Sequence, residues 1–474
     1  MKKIILILTV FLAYTVVHGQ IDNPKFTVVQ LKEDFSLLRT ALEQAHPALY
    51  KFSSKSSMDS LFNAIDKSID KEMTEAQFLT LISPVFGKIK CGHTRIYPSD
   101  NYRKYVMTSA KMFPFEIKII DNKLYIVKNL SADSTVKLGT EIDSINKVPA
   151  SKILPELLSR TWADGLNQTM KYKVFEQSFN IWYSIVYGEC DNFSIVAVSP
   201  ETHKTISFTV PAITMAERKK VSAIRTKKPI DRQPIQFKLI DDLAQTAVLT
   251  VKTFSPEIFK HNGTDYNKFI DSIFTIIKNK NIPKLIIDLR DNNGGDVVFM
   301  SNLFSYIADK EYNLLNYAQF KTNKPLDYLD KDTTDFYKFI TDSKGNYFWK
   351  DTKDDWYGTY QPNKNNFKGK VYILINGGSF SSSGFFCSLF QYYKRGKIIG
   401  EEAGGSSVCN DCHDNLVLPN TKINTEIARC TFSMNLPGIK YDGHGIIPDK
   451  LVKTTLNDII NDNDSVLKYA IADK

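Results

Sequence analysis

Between residues 246 and 402 the chain alternates short apolar runs with amphipathic ones, and this rhythm constrains the fold more than any other feature. TAVLTVKTF (246–254), KLIIDLR (284–290), VYILIN (371–376) and KIIGEE (397–402) read as strands, most of them apolar throughout. YNKFIDSIFTIIKNK (266–280) and GFFCSLFQYYKRG (384–396) repeat their apolar residues at helical spacing. Alternation of this kind calls for an α/β layer built on a largely parallel sheet.

Two of these strands run into glycine pairs, Gly294-Gly295 and Gly377-Gly378, and the second pair leads through Ser379 and Phe380 to Ser381, Ser382 and Ser383. Loops at the carboxyl ends of parallel strands gather along one edge, where sites form. A serine at a helix start has unpaired N–H groups and a positive dipole end beside it, both favourable to a developing oxyanion. A nearby glycine lets a second backbone approach closely. The same serines also suit plain helix capping, so the residues alone leave both roles open. A nucleophile needs a base. Beyond the leader the histidines are His46, His93, His203, His261, His413 and His444, and spacing does not choose among them.

At 474 residues, two or three domains are expected. The opening MKKIILILTVFLAYTVVHG (1–19) has two lysines before an apolar run, a secretory signal pattern too short for a bilayer span of about 20 residues. Export to the periplasm or the extracellular space is expected, with no membrane span in the mature chain. Residues 20–102 read as a helical region, with Thr74 and Gln77 spaced for a capping box. Residues 103–215 read as a compact β-rich module whose first hairpin turns at Asp121-Asn122. The basic stretch RKKVSAIRTKK (218–228) reads as a solvated linker, and 225–474 as the α/β core. Within the core, 318–368 breaks the rhythm with a polar, aromatic insertion carrying Trp349 and Trp356, expected to lie beside the site. The charge of +9 is spread without an arginine stripe, which argues against nucleic acid as a partner. Of six cysteines, Cys409, Cys412 and Cys430 cluster with His413; a disulfide, free thiols and a zinc site are all open.

LIIDLRDNNGGD (285–296), VYILINGGSFSSSGFF (371–386), KIIGEEAGG (397–405) and the closing GHGIIPDKLV (443–452) together resemble the tail-specific and tricorn-type serine peptidases. LGTEIDSINKVPASKIL (138–154) is similar to the PDZ-like domain that often precedes their core. The resemblance implies a multidomain α/β and α+β protein: a helical region, a PDZ-like domain at 103–215 and a crotonase- or ClpP-like α/β protease core. It also implies an exported serine peptidase acting on peptides or unfolded proteins, without metal or organic cofactor. Matched residue by residue, Ser381 stands at the nucleophile, and the N–H groups of Ser382 and of Gly294 or Gly295 at the oxyanion hole. The lysine of the Ser-Lys branch falls on Ser406, which argues against that mechanism. The tricorn-type branch places a histidine in a short turn near the start, matched by His93 in CGHT, and an acid before the closing motif, matched by Asp442. His444 is the rival base. A non-catalytic peptide-binding relative is the alternative function, and an esterase is disfavoured because GSFSSSG lacks the Gly-x-Ser-x-Gly elbow.

Overall fold

The computed structural model describes residues 24–225, 233–240, 246–324, 326–329, 339–349 and 355–473; the leader read at 1–19 lies outside them. A six-stranded sheet organises the C-terminal half, in the order Ile235–Ile240, Thr246–Val251, Lys284–Asp288, Lys370–Ile375, Lys397–Gly400 and Lys450–Leu451. The first pairing is antiparallel and the other four are parallel. Its central strands are apolar on both faces because both faces are covered. Leu285, Ile287, Val371, Ile373 and Ile375 pack under helices Tyr266–Asn279, Val297–Ser305 and Ser382–Tyr392. Ile286, Tyr372 and Leu374 point the other way, against Val466 and Ala470 of the helix Ser465–Ala472.

The N-terminal half joins helices to a second sheet. Helices Val28–Ala45, Lys55–Ser68, Glu75–Ile82 and Pro84–Ile89 come first, and Thr74 with Gln77 closes a capping box at the third. A six-stranded antiparallel sheet follows: Phe115–Ile120, Lys123–Asn129, Glu141–Ile145, Asn192–Val198 and Thr205–Pro211 in order, with Val148–Pro149 pairing onto Glu141–Ile145 off this path. Its first hairpin turns through Asp121 (φ 49°) and Asn122 (φ 60°), the two positive φ values of a type I′ turn. Helices Ala150–Leu158 and Gln168–Tyr187 cross this module. Helical region and module share one apolar core that runs from Leu31 and Phe78 to Phe113, Phe179 and Phe193.

One expectation changes. The stretch read as a linker is largely the helix Met215–Arg225, and the buried Arg218 guanidinium donates to the Phe113 carbonyl at 2.6 Å; the apolar arginine stem and this bond tie it down. Residues 226–228 lie outside the described residues. The insertion contributes strands Leu315–Phe320, Phe339–Thr341 and Tyr347–Trp349, which join Cys430–Met434 and Val408–Asp411 in a five-stranded antiparallel sheet.

The two halves are stitched by backbone. Strand Arg95–Tyr97 pairs antiparallel with Asn424–Ile427, which pairs in turn with Asp414–Val417. Asp34 of the first helix is fully buried and accepts the Thr421 N–H (2.8 Å), the Thr421 hydroxyl (2.6 Å) and the Asn420 N–H (2.9 Å). No helix among the described residues is long and apolar enough to cross a membrane.

Candidate active site

Strand Lys370–Ile375 is apolar and fully parallel-paired, so it must end before the chain can turn, and Asn376-Gly377-Gly378 supplies the turn. A Cβ on Gly377 would lie 2.3 Å from the Thr169 backbone, so glycine is required there by close approach. The chain then enters helix Ser382–Tyr392 through Ser381 at φ 55°, ψ −124°, a conformation that L-residues rarely adopt. Ser381 makes no side-chain capping bond to the helix. Its hydroxyl is therefore not a cap, and it is half-buried at the edge of the site. Ser382 and Ser383, by contrast, are buried, and their hydroxyls meet no partner among the described residues.

The first glycine loop closes over this turn. A Cβ on Gly294 would stand 2.7 Å from the Ser381 Cβ, 2.8 Å from the Phe380 carbonyl oxygen and 3.0 Å from the Ser382 nitrogen. Backbone of residues 294 and 381–382 is thus in direct contact, at a φ of +97° that glycine alone tolerates without strain. The Gly294 N–H itself turns inward, to Asn292 Oδ1 at 2.9 Å. From the other side the Gly404-Gly405 turn follows strand Lys397–Gly400, and a Cβ on Gly405 would meet the Ser381 nitrogen at 3.0 Å.

The CGHT turn reaches the same place from nearly 300 residues upstream in the sequence. The pairing of Arg95–Tyr97 with Asn424–Ile427 sets it down, and the Thr94 hydroxyl accepts the Ala428 N–H at 3.1 Å. The Gly92 N–H donates to Asp164 Oδ1 at 2.6 Å. His93 is buried, and its ring stacks on Phe380, the residue before Ser381, with centroids 4.5 Å apart. Its Nδ1 lies 3.5 Å from Cys409 Sγ, and the Ser381 side chain stands beside that same sulfur. Its Nε2 lies 3.5 Å from Asp411 Oδ2. Cys409 and Asp411 are two apart on strand Val408–Asp411 and so share the face turned to the histidine.

The electrostatics follow from burial. Desolvation brings His93 down to about 4, against the pull of Asp411, so the ring is neutral near pH 7. Burial pushes Asp411 up, but His93 and a 3.0 Å contact from His413 Nδ1 outweigh it and hold the carboxyl down at about 2. Burial raises Asp164 to about 7 despite the Gly92 N–H, and drives the Cys409 thiol well above its ordinary value.

The other residues singled out from the sequence stand as follows. Asp442 Oδ1 accepts the His444 N–H at 3.0 Å, and the carboxylate beside the His93 ring belongs to Asp411 instead. The reason is topological: strand Val408–Asp411 runs under the histidine, whereas the loop at 442 turns back on itself. His444 is half-exposed, its Nδ1 held by Glu402 Oε1 at 3.2 Å. Ser406 bonds within its own turn, its hydroxyl donating to the Val408 carbonyl at 3.0 Å. None of the six cysteines is in a disulfide, and Cys412 lies against Cys430. Cys409 instead lies with His93 and Asp164, and His413 is not in that group of ligand-type side chains. Sequence reasoning passed over Asp164 and Asp411 as site residues, and weighed Cys409 only within the cluster of Cys412, Cys430 and His413. CNDCH carried a signal for Cys409 and Asp411; Asp164 carried none.

The model of peptidase family S41 matches residues 245–452. No curated protein matches the chain by sequence. Among solved structures, mature CPAF aligns over 94% of this chain and 96% of its own at 15% identity and a TM-score of 0.64. Mature CPAF complexed with lactacystin aligns over 94% and 97% at 15% identity and a TM-score of 0.62. The photosystem II D1 C-terminal processing protease aligns over 91% and 96% at 14% identity and a TM-score of 0.43. The CPAF likeness extends the shared fold beyond the matched core to the N-terminal half.

Proposed function

From the premise that residues 245–452 carry the core of peptidase family S41 and the chain is a serine-type peptidase, we propose that it hydrolyses peptide bonds through an acyl-enzyme on Ser381, with His93 as base. The observation that carries this is the Ser381 turn: a hydroxyl freed from capping, on a strained backbone, beside the Cys409 sulfur that contacts a buried, neutral imidazole. As Ser381 Oγ attacks the substrate carbonyl, its proton passes to Cys409 Sγ while the thiol proton passes to His93 Nδ1. The imidazolium so formed is stabilised by the Asp411 carboxylate at Nε2. It then protonates the leaving amine by the reverse route, and water releases the acyl group. The oxyanion sits against the N–H groups of Ser382 and Gly295, since that of Gly294 is taken by Asn292.

The module at 103–215 is read as PDZ-like. Its groove, between edge strand Phe115–Ile120 and helix Gln168–Tyr187, is where a substrate end would add as a strand. Glu176 already accepts the Ile119 N–H there at 3.0 Å, so an arriving peptide displaces it. The leader pattern at 1–19 supports action outside the cytoplasm.

A fluorophosphonate probe tests the reading. Labelling confined to Ser381 by mass spectrometry, and lost in Ser381→Ala along with peptide cleavage, supports it. An unlabelled wild-type chain points to the non-catalytic relative, and labelling at Ser383 overturns the assignment of the nucleophile.

A further inference from the structure

One imidazole nitrogen of His93, Cys409 Sγ and a carboxylate oxygen of Asp164 all lie within 4.8 Å of one another, and all three residues are buried. Two of these groups already belong to the proposed proton path; Asp164 does not, and nothing in the peptidase chemistry calls for it. The three come from separate segments: the CGHT turn is held by the Arg95–Tyr97 pairing, Asp164 is tied to that turn through the Gly92 N–H at 2.6 Å, and Cys409 is held by its strand.

Resting on the reading of His93 as base, we propose that these three side chains form an inhibitory zinc site which competes with the proton path for the His93 lone pair. The geometry suits the ion. Nδ1 and Sγ are 3.5 Å apart, close to the edge of a tetrahedron with Zn–N of about 2.0 Å and Zn–S of about 2.3 Å. An N, S, O donor set selects a borderline-soft cation over magnesium or calcium, which take oxygen. The outer contacts are those that metal-bound histidines use: the far nitrogen of His93 faces the Asp411 carboxylate at 3.5 Å, and Asp411 is steadied by His413 at 3.0 Å. Three protein ligands leave a fourth position for water. Coordination requires the Cys409 thiolate and the Asp164 carboxylate, so binding releases protons to solvent and affinity rises with pH. With Nδ1 coordinated, His93 has no lone pair to accept the proton that Ser381 must lose.

The test uses the full chain. Cobalt(II) is titrated into metal-free Ser381→Ala protein, which cannot cleave itself, and the thiolate-to-cobalt charge-transfer band is followed in the near ultraviolet. A band saturating at one ion per chain and displaced by zinc is expected. It should vanish in Cys409→Ser, and affinity should fall at least tenfold in Asp164→Asn. Zinc should inhibit the active enzyme over the concentrations at which it displaces cobalt, and Asp164→Asn, measured against its own metal-free rate, should need at least tenfold more. No band in the Ser381→Ala protein, a band retained in Cys409→Ser, or stoichiometric binding without inhibition overturns the proposal. The cobalt spectrum decides even if a ligand variant fails to fold. Fluorophosphonate labelling in chelator judges the catalytic reading separately. A chain that labels but binds no metal loses only the zinc site; one that binds metal but never labels loses the base assignment.

Discussion

Replacing Ser381 by glycine and by alanine separates the strain in the nucleophile turn from its chemistry. At φ 55°, ψ −124° the residue sits where a Cβ crowds its own backbone. Holding a non-glycine residue in such a region costs about 1–3 kcal/mol. Both substitutions remove the hydroxyl and its contact with Cys409, so their difference isolates the Cβ. Glycine relieves the strain but gains about 0.5–1 kcal/mol of unfolded-state freedom, which leaves it ahead of alanine by about 1 kcal/mol at mid-range and by up to about 2.5 kcal/mol. For a core of this size that corresponds to roughly 2–4 °C at mid-range and up to about 10 °C in the melting temperature. Both variants should lack hydrolysis and fluorophosphonate labelling. Scanning calorimetry, supported by the denaturant midpoint, should then show Ser381→Gly melting above Ser381→Ala. Equal melting temperatures, or alanine the more stable, would refute the argument that the fold stores strain to present this hydroxyl.

The remaining predictions address the base, the loop contact and the stitch between the halves. With His93 held near 4, the acid limb of kcat/KM should fall at about pH 4 and not near the ordinary histidine value of 6.5, and a pH–rate profile reads it directly. The same shift bears on stability. The unfolded state takes up the proton first, so stability is full above pH 6.5 and is lost as pH falls from 6.5 to about 4, by up to roughly 3 kcal/mol for this residue. His46, brought down to about 3 by burial, adds a loss of the same sign over 6.5 to 3, and His46→Gln should flatten the acid limb of the melting curve. Gly294→Ala puts a Cβ 2.7 Å from that of Ser381 and should lower turnover by about a hundredfold or more through misplacement of the nucleophile; an unchanged kcat would show that the two loops are not in functional contact. Asp34→Asn turns an amide toward donors at Thr421 and Asn420, and should cost about 2–4 kcal/mol in the melting transition.

Much of the core could be read from local pattern. Helix Tyr266–Asn279 and strands Lys284–Asp288 and Lys370–Ile375 follow from apolar period and run length, because a helix and a buried strand impose different spacings on the side chains they cover. Misreadings occurred where a polar surface concealed a local bond: Arg218 looked solvated in sequence, yet its stem is buried and its head caps the Phe113 carbonyl.

The sequence by itself determined the strand-to-helix turn at Ser381, since an apolar strand followed by Gly-Gly and a helical run can connect in few ways. It also determined the hairpin at Asp121-Asn122, where two adjacent residues had to accept positive φ. Which base and which acid meet that serine was decided by tertiary structure. Pairing of three residues, Arg95–Tyr97, with Asn424–Ile427 carries His93 to Phe380, and the register of Val408–Asp411 aims Cys409 and Asp411 at its ring while Asp442 turns back toward His444. Strand pairing between distant segments is selected by the fit of whole surfaces, and a shift of one residue in Val408–Asp411 would turn both side chains to the opposite face. No local window of the chain contains that information.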